Sequence, residues 1–141
     1  MAFWLFKSEP FKWSFADQLA CGEAGTEWSG VRNYQARNFM SAMRIGERGF
    51  FYHSNEGKEI VGLVEVSKLA HPDSTSEDPR WTCVDVRALR ALPKAVTLEE
   101  VKRTPDLSAM MLATNSRLSV QPVTEAEFRV VCRMGGLDEM P

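Results

Sequence analysis

The spacing of apolar and polar residues changes period along this chain, and each change marks an element. Phe3–Phe6 is a dense aromatic run that reads as a buried strand, ended by Pro10. Ser14 with Asp17 three positions on forms an acidic capping box, so a short helix follows. Phe15 and Leu19, four apart, share its inner face, and Cys21-Gly22 ends it. Residues 23–27 read as a loop. Asn33 is placed as an N-cap, and Ala36, Phe39, Met40 and Met43 then recur at helical spacing. That predicts a helix from Tyr34 to about Met43, with Arg37, Ser41 and Arg44 on a neighbouring stripe and Gly46 as its stop.

From Phe50 the period falls to two. Phe50–Ser54 is a strand, Asn55-Glu56-Gly57-Lys58 a turn, and Ile60–Val66 the returning partner of a hairpin. The returning strand is apolar on both faces, and Gly62 within it marks a bulge or a close approach. Residues 71–79 read as a loop. In Thr82–Ala91, Val84, Val86 and Ala88 face in, Asp85 and Arg87 face out, and Pro93 closes the strand. Thr97 with Glu100 caps a helix over Leu98–Arg103, and Leu107–Ala113 is also helical. Leu118–Val120 is a short strand before Pro122. Thr124 with Glu127 caps a last helix, Glu125–Arg133, with Phe128, Val131 and Cys132 inward and Gly135-Gly136 at its end. This order predicts an α+β domain on a small, mixed, barrel-like sheet, one domain over residues 1–141. No glycine pattern of a dinucleotide fold or a P-loop is present.

Composition adds little to that outline, and charge adds a little more. Hydrophobic residues at 44% and charged residues at 26% are the proportions of a soluble globular chain. A net charge of −2 excludes a general basic coat for nucleic acid. The distribution is uneven: residues 28–54 carry four arginines against Glu47, a net of +3, and the remainder carries −5. Cys21, Cys83 and Cys132 are odd in number and far apart, which fits buried thiols in a reducing cytoplasm. His53 and His71 lie in no close Cys/His cluster, so no metal site is expected, and no cofactor. The start of the chain does not read as a signal peptide, and no apolar run approaches membrane-spanning length.

The candidate chemistry gathers in Trp28–Ser54. Arg32, Arg37, Arg44 and Arg48 lie there among the flat rings of Trp28, Tyr34 and Tyr52, a combination that suits a planar or phosphorylated ligand and equally a core with a charged rim. Trp28 and Trp81 can be core or cage. Asn33 can cap its helix or read a base edge, since its amide both donates and accepts. Arg32, Arg37 and Arg44 can be solvated or can hold phosphate near a helix start. Lys7 sits at a rim or a pocket mouth, and Ser8 can hydrogen-bond beside it. Catalysis finds little support. His53 and Ser54 are adjacent on a strand and point to opposite faces, no Gly-x-Ser-x-Gly elbow exists, and no carboxylate pair is set by spacing.

Three blocks together resemble the EVE domain: Trp4-Leu5-Phe6-Lys7-Ser8-Glu9-Pro10, Trp28-Ser29-Gly30-Val31-Arg32-Asn33-Tyr34-Gln35-Ala36-Arg37-Asn38, and Phe51-Tyr52-His53-Ser54. Gly62-Leu63-Val64-Glu65-Val66 and Trp81-Thr82-Cys83-Val84-Asp85-Val86 fit later strands of that family, so the likeness covers essentially the whole chain. The resemblance implies a PUA-like fold, a small mixed β-barrel with helices around it, related to YTH domains that read methylated adenine in RNA. It implies a module that binds DNA or RNA with a methylated or hydroxymethylated base flipped into an aromatic pocket; a monomer without catalysis is expected beside it. Carried over, Ser8, Trp28, Val31, Asn33, Tyr34, His53, Ser54 and Trp81 would form the base pocket, and Lys7, Arg32 and Arg37 would hold phosphate. The rival readings are a hydrolytic enzyme acting on a modified nucleoside or RNA, and a protein-interaction module whose Arg-rich face meets an acidic partner.

Overall fold

A computed structural model describes residues 1–115 and 117–138. Within them six strands form one mixed sheet: β1 (Phe3–Ser8), β2 (Thr26–Glu27), β3 (Arg48–His53), β4 (Glu59–Pro72), β5 (Thr82–Thr97) and β6 (Val120–Val123). Their order across the sheet is β2-β5-β4-β3-β1-β6. β1 runs parallel to β3, and every other neighbouring pair is antiparallel. The helices are α1 (Phe15–Ala20), α2 (Tyr34–Ala42), α3 (Leu98–Arg103), α4 (Met111–Thr114) and α5 (Glu125–Met134). The α+β class stands, but the expected barrel is an open sheet. Its edge strands, β2 and β6, have two and four residues. Edges so short cannot ladder along one another to close a barrel.

Strand alternation builds a core on each side of the sheet. Phe3 and Leu5 of β1 join Phe50 and Tyr52 of β3 and Leu63 of β4 beneath α3 and α5, where Phe128 stacks on both Phe3 and Phe50 at 4.3 and 4.6 Å. Trp4 and Phe6 face the other way, to Phe51, Val64, Val66, Val84 and Val86, under Phe15 of α1 and Ala36 and Met40 of α2. Burial of both faces explains why the strands read as nearly continuous apolar runs. The capping boxes at Ser14, Thr97 and Thr124 and the Asn33 cap are all formed.

Several boundaries differ from the sequence reading, each for a tertiary reason. Thr26–Glu27, read as loop, pairs with β5 as β2. Leu19 is 46% exposed, and Gln18 takes the inward position instead. The buried amide is satisfied at both ends, donating to Val86 O at 3.1 Å and accepting from Trp13 Nε1 at 3.0 Å. Pro93 lies inside β5 rather than at its end. Register shifts between Gly62↔Ala91 and Ile60↔Val96 take that stretch out of the ladder, so the missing N–H is not needed there. β4 reaches Pro72, well beyond Val66. Asp85, expected to face out, is buried, because irregular pairing of β4 with β5 breaks strict alternation. The short strand near Leu118 falls at Val120–Val123 with Pro122 inside, as an edge position permits. The helix read over Leu107–Ala113 is a 3₁₀ turn at Pro105–Leu107 followed by α4.

Gly62 is both a bulge and a close approach. The register of β4 against β5 shifts beside it, and a Cβ built there would lie 2.2 Å from Cζ of Phe15. The Phe15 ring is pinned edge-on against Phe51 at 5.2 Å. Gly62→Ala should therefore push α1 off the sheet and cost about 1–3 kcal/mol, read from urea denaturation. A stability equal to wild type would mean that α1 yields freely.

Candidate functional site

At the end of β1 the chain turns away and leaves a cleft of about 550 Å³. It is lined from one segment by Lys7, Ser8, Glu9, Lys12 and Trp13, from another by Thr26 to Arg32, and by Ser119. The second segment is set by the strand pairing. β2 pairs with β5 through Thr26↔Val86 and Glu27↔Asp85, and Trp28 continues the ladder by donating its N–H to Val84 O at 2.8 Å. The Trp28 ring then turns inward, edge-on to Phe6 and Phe51 at 5.1 and 5.5 Å. It is 7% exposed, so it is core on one side and cleft wall on the other. The same turn, closed by Gly30 at φ +83°, brings Val31 into the wall.

Asp73 holds the middle of that turn. Its carboxylate accepts from Gly30 N at 2.9 Å, from the Arg32 guanidinium at 3.1 Å, and from the N–H and hydroxyl of Thr75 at 2.8 and 2.6 Å. Burial raises the carboxyl pKa, but the bonds from Thr75, Gly30 and Arg32 outweigh it and bring it down to about 2. Arg32 also donates to Val31 O and to the Thr75 hydroxyl, so its donors are largely spent on the scaffold while its flank forms the rim. Across the cleft the Ser8 hydroxyl donates to Trp13 O at 2.5 Å, and the Trp13 ring is tied to Gln18. Burial pushes the Lys7 ammonium below its ordinary pKa, with Nζ 5.9 Å from the Tyr52 ring centroid.

The eleven site residues named from sequence separate into groups. Lys7, Ser8, Trp28, Val31 and Arg32 line the cleft. Tyr34, Trp81 and Arg37 lie outside its lining and form a surface ladder. Tyr34 stacks on Trp81 at 5.0 Å, Arg37 lies over Tyr34 at 4.9 Å and Arg32 over Trp81 at 5.6 Å. Arg80 donates to the Tyr34 hydroxyl at 2.9 Å. The remaining three do scaffold work. The Asn33 side chain accepts from Ala36 N as the cap of α2. His53 Nε2 accepts from Phe15 N at 3.1 Å, and burial lowers its pKa, partly offset by Glu59. Ser54 donates its N–H to Ser8 O. Trp13, Lys12 and Ser29 are lining residues that the sequence reading did not name; an apolar residue just before an N-cap carries no signal that separates a cleft wall from helix packing.

Among the described residues one cluster suits a metal. Ligand atoms of Glu27, His71 and Cys83 all lie within 4.8 Å of one another. The sequence put His71 in no Cys/His cluster, but the β4–β5 register sets it opposite Cys83. No described helix is long and apolar enough to cross a membrane.

The family model described as EVE domain matches residues 2–134. Thymocyte nuclear protein 1 of Gallus gallus is 39% identical over 160 residues, covering 91% of this chain, and the chain spans 66% of that protein. The crystal structure of protein Atu2648 from Agrobacterium tumefaciens superposes with a TM-score of 0.99 at 60% identity, over 100% of this chain and 97% of that one. A crystal structure of human THYN1 protein in complex with 5-methylcytosine-containing DNA has a TM-score of 0.89 at 37% identity, each chain fully covered. The YTH domain of Zygosaccharomyces rouxii MRB1, solved with N6-methyladenosine RNA, has a TM-score of 0.59 at 16% identity over 99% of this chain and 90% of its own, which is a likeness of fold.

The Asp73 clamp has a definite pH signature. Its carboxyl titrates at about 2 in the fold against an ordinary 3.8. The unfolded chain therefore takes up the proton first as pH falls. The clamp contributes roughly 2 kcal/mol, complete above pH ~4 and lost as pH drops toward ~2. Asp73→Asn should lower stability at neutral pH and flatten the acid limb of a pH series of urea melts. An acid limb identical to wild type would show that the clamp is not carried by this carboxylate.

Proposed function

This chain belongs to the EVE-domain family, and we propose that it is a non-catalytic reader of DNA or RNA carrying a methylated or hydroxymethylated base. The observation that carries the reading is the cleft between Trp13 and Trp28, rimmed by Lys7, Lys12 and Arg32. It occurs in a chain similar along its whole length to human THYN1, whose structure contains 5-methylcytosine DNA. A base flipped out of its stack would lie against the Trp28 and Trp13 rings, with Ser8 and Ser29 within reach of its edge and Val31 shaping the floor. Lys7, Lys12 and the flank of Arg32 would face phosphate.

The Tyr34–Trp81 stack lies beside the cleft rather than in it, joined to it through Arg32. We assign that stack, with Arg37, to the neighbouring nucleotides, and we assign Asn33, His53 and Ser54 to holding the walls in place. Two observations support a role without catalysis. Neither histidine lines the cleft, and both are engaged by the scaffold, His53 with Phe15 N and His71 with Asp85. We further read the chain as a cytoplasmic monomer, in keeping with three unpaired cysteines.

Selectivity follows from size and dryness. A buried methyl is worth about 0.8 kcal/mol, close to fourfold in affinity. Discrimination beyond that needs a pocket that water cannot fill in the unmodified case. Titration of tryptophan fluorescence with short oligonucleotides should show preference for the modified base by about fourfold or more. Trp13→Ala should weaken binding by ~1–3 kcal/mol, and Lys12→Ala should reduce the salt slope by about one. Equal affinity for modified and unmodified strands, or none at low salt, would overturn the reading. Turnover of a modified nucleoside would favour an enzyme instead.

A further inference from the structure

Glu27, His71 and Cys83 sit on three adjacent strands at the β2 edge of the sheet. From this convergence we propose that they form a binding site for a divalent transition ion, with zinc the ion best suited to the donors. The set is a carboxylate oxygen, an imidazole nitrogen and a thiol sulfur, all ordinary zinc ligands. Glu27 Oε1 is 3.8 Å from His71 Nδ1 and 3.8 Å from Cys83 Sγ. Ligand atoms around a tetrahedral zinc lie about 3.3–3.6 Å apart, and all three here lie within 4.8 Å of one another, so side-chain adjustment alone would bring them onto three of its corners. The fourth would be left to water.

The surroundings are those of a supported ligand set. His71 Nε2 is 2.7 Å from Asp85 Oδ1, which fixes the ring and leaves Nδ1 toward Glu27 and Cys83, the arrangement in which a carboxylate orients a metal-bound histidine. Nδ1 also lies 3.0 Å from Pro72 O, and ligation would exchange that contact for the metal. The Ser74 hydroxyl donates to Glu27 Oε2, and the Ser74 N–H reaches Oε1 at 3.2 Å, so the carboxylate is held in place. Asp85 itself is buried and reached by Lys68 Nζ at 3.7 Å. A cationic His71 between Glu27 and Asp85 would account for the two acids. It would not account for a fully buried cysteine placed beside the same Glu27 oxygen. Glu27 also lines the cleft, so a bound ion would stand directly behind one of its walls. The inference does not depend on the base-reading role.

The test is a Co²⁺ titration of the full chain after chelator treatment and dialysis, followed by absorption. The expected result is a thiolate-to-cobalt charge-transfer band that saturates at one ion per chain and is displaced by Zn²⁺. Cys83→Ser should abolish the band. His71→Gln should weaken binding by about tenfold or more, and Asp85→Asn by about 10–100-fold. Cys21→Ser and Cys132→Ala should leave it unchanged. Circular dichroism checks that each variant is folded, and the wild-type titration decides even where one is not. Absence of the band at millimolar Co²⁺, or a band that survives Cys83→Ser, would overturn the site.

Discussion

The cleft depends on one buried carboxylate. Asp73 receives two donors from the Gly30–Arg32 turn and two from Thr75, and its own N–H reaches Trp81 O at 3.0 Å. An ionised carboxylate out of water is costly unless its oxygens are filled, and here they are. That requirement works in both directions. The turn is held because the charge needs donors, and the 73–81 segment is held because the donors need the charge. Arg32, fixed in this way, lies over the Trp81 ring, and Trp81 stacks with Tyr34. A single buried carboxylate and its donors thus set the position of the cleft wall and of the ladder next to it.

Positioning by a buried charge changes what the arginines can do. Arg32 looks from sequence like a phosphate ligand with five available donors, but the fold uses most of them internally. What remains is a flat cation over a ring. Arg37 is similarly engaged, with Asn38 and Arg80 O, and lies over Tyr34. The surface beside the cleft is therefore a stacked pair of rings with a guanidinium group over each. Such a surface favours other planar groups more than free anions, and its attraction survives salt better than that of a loose lysine patch.

Local rules carried much of the outline, and they failed where partners distant in sequence decide. The three capping boxes and the Asn33 cap were legible because each is closed within four residues. The hairpin and the helix periods were legible for the same reason. Gln18 in place of Leu19 was not, since only Val86 O and the Trp13 ring make a buried amide acceptable. Pro93 within β5 was not, since the register shifts that excuse it belong to β4. At the site, the turn 28–32 stood out by its residue types, whereas Trp13 drew no notice and the hydrogen bonds of His53 to Phe15 N and of Ser54 N to Ser8 O depend on partners distant in sequence. The pairing of His71 with Cys83 was invisible for a plainer reason: only a sheet register can bring them together.

β1 is an interior strand and the first in sequence, yet one of its neighbours, β6, is the last strand in sequence. The Lys7 N–H donates to Ser119 O, and Ser119 lines the cleft. During synthesis, then, β1 leaves the ribosome long before the strand that covers one of its edges. Until then the backbone N–H and C=O groups along that edge of Phe3–Phe6 are unpaired, an edge of the kind that adds to other chains. A chain cut short before Val120 would keep Ser119 of the cleft but lack the strand that pairs with β1 from Phe3 to Phe6.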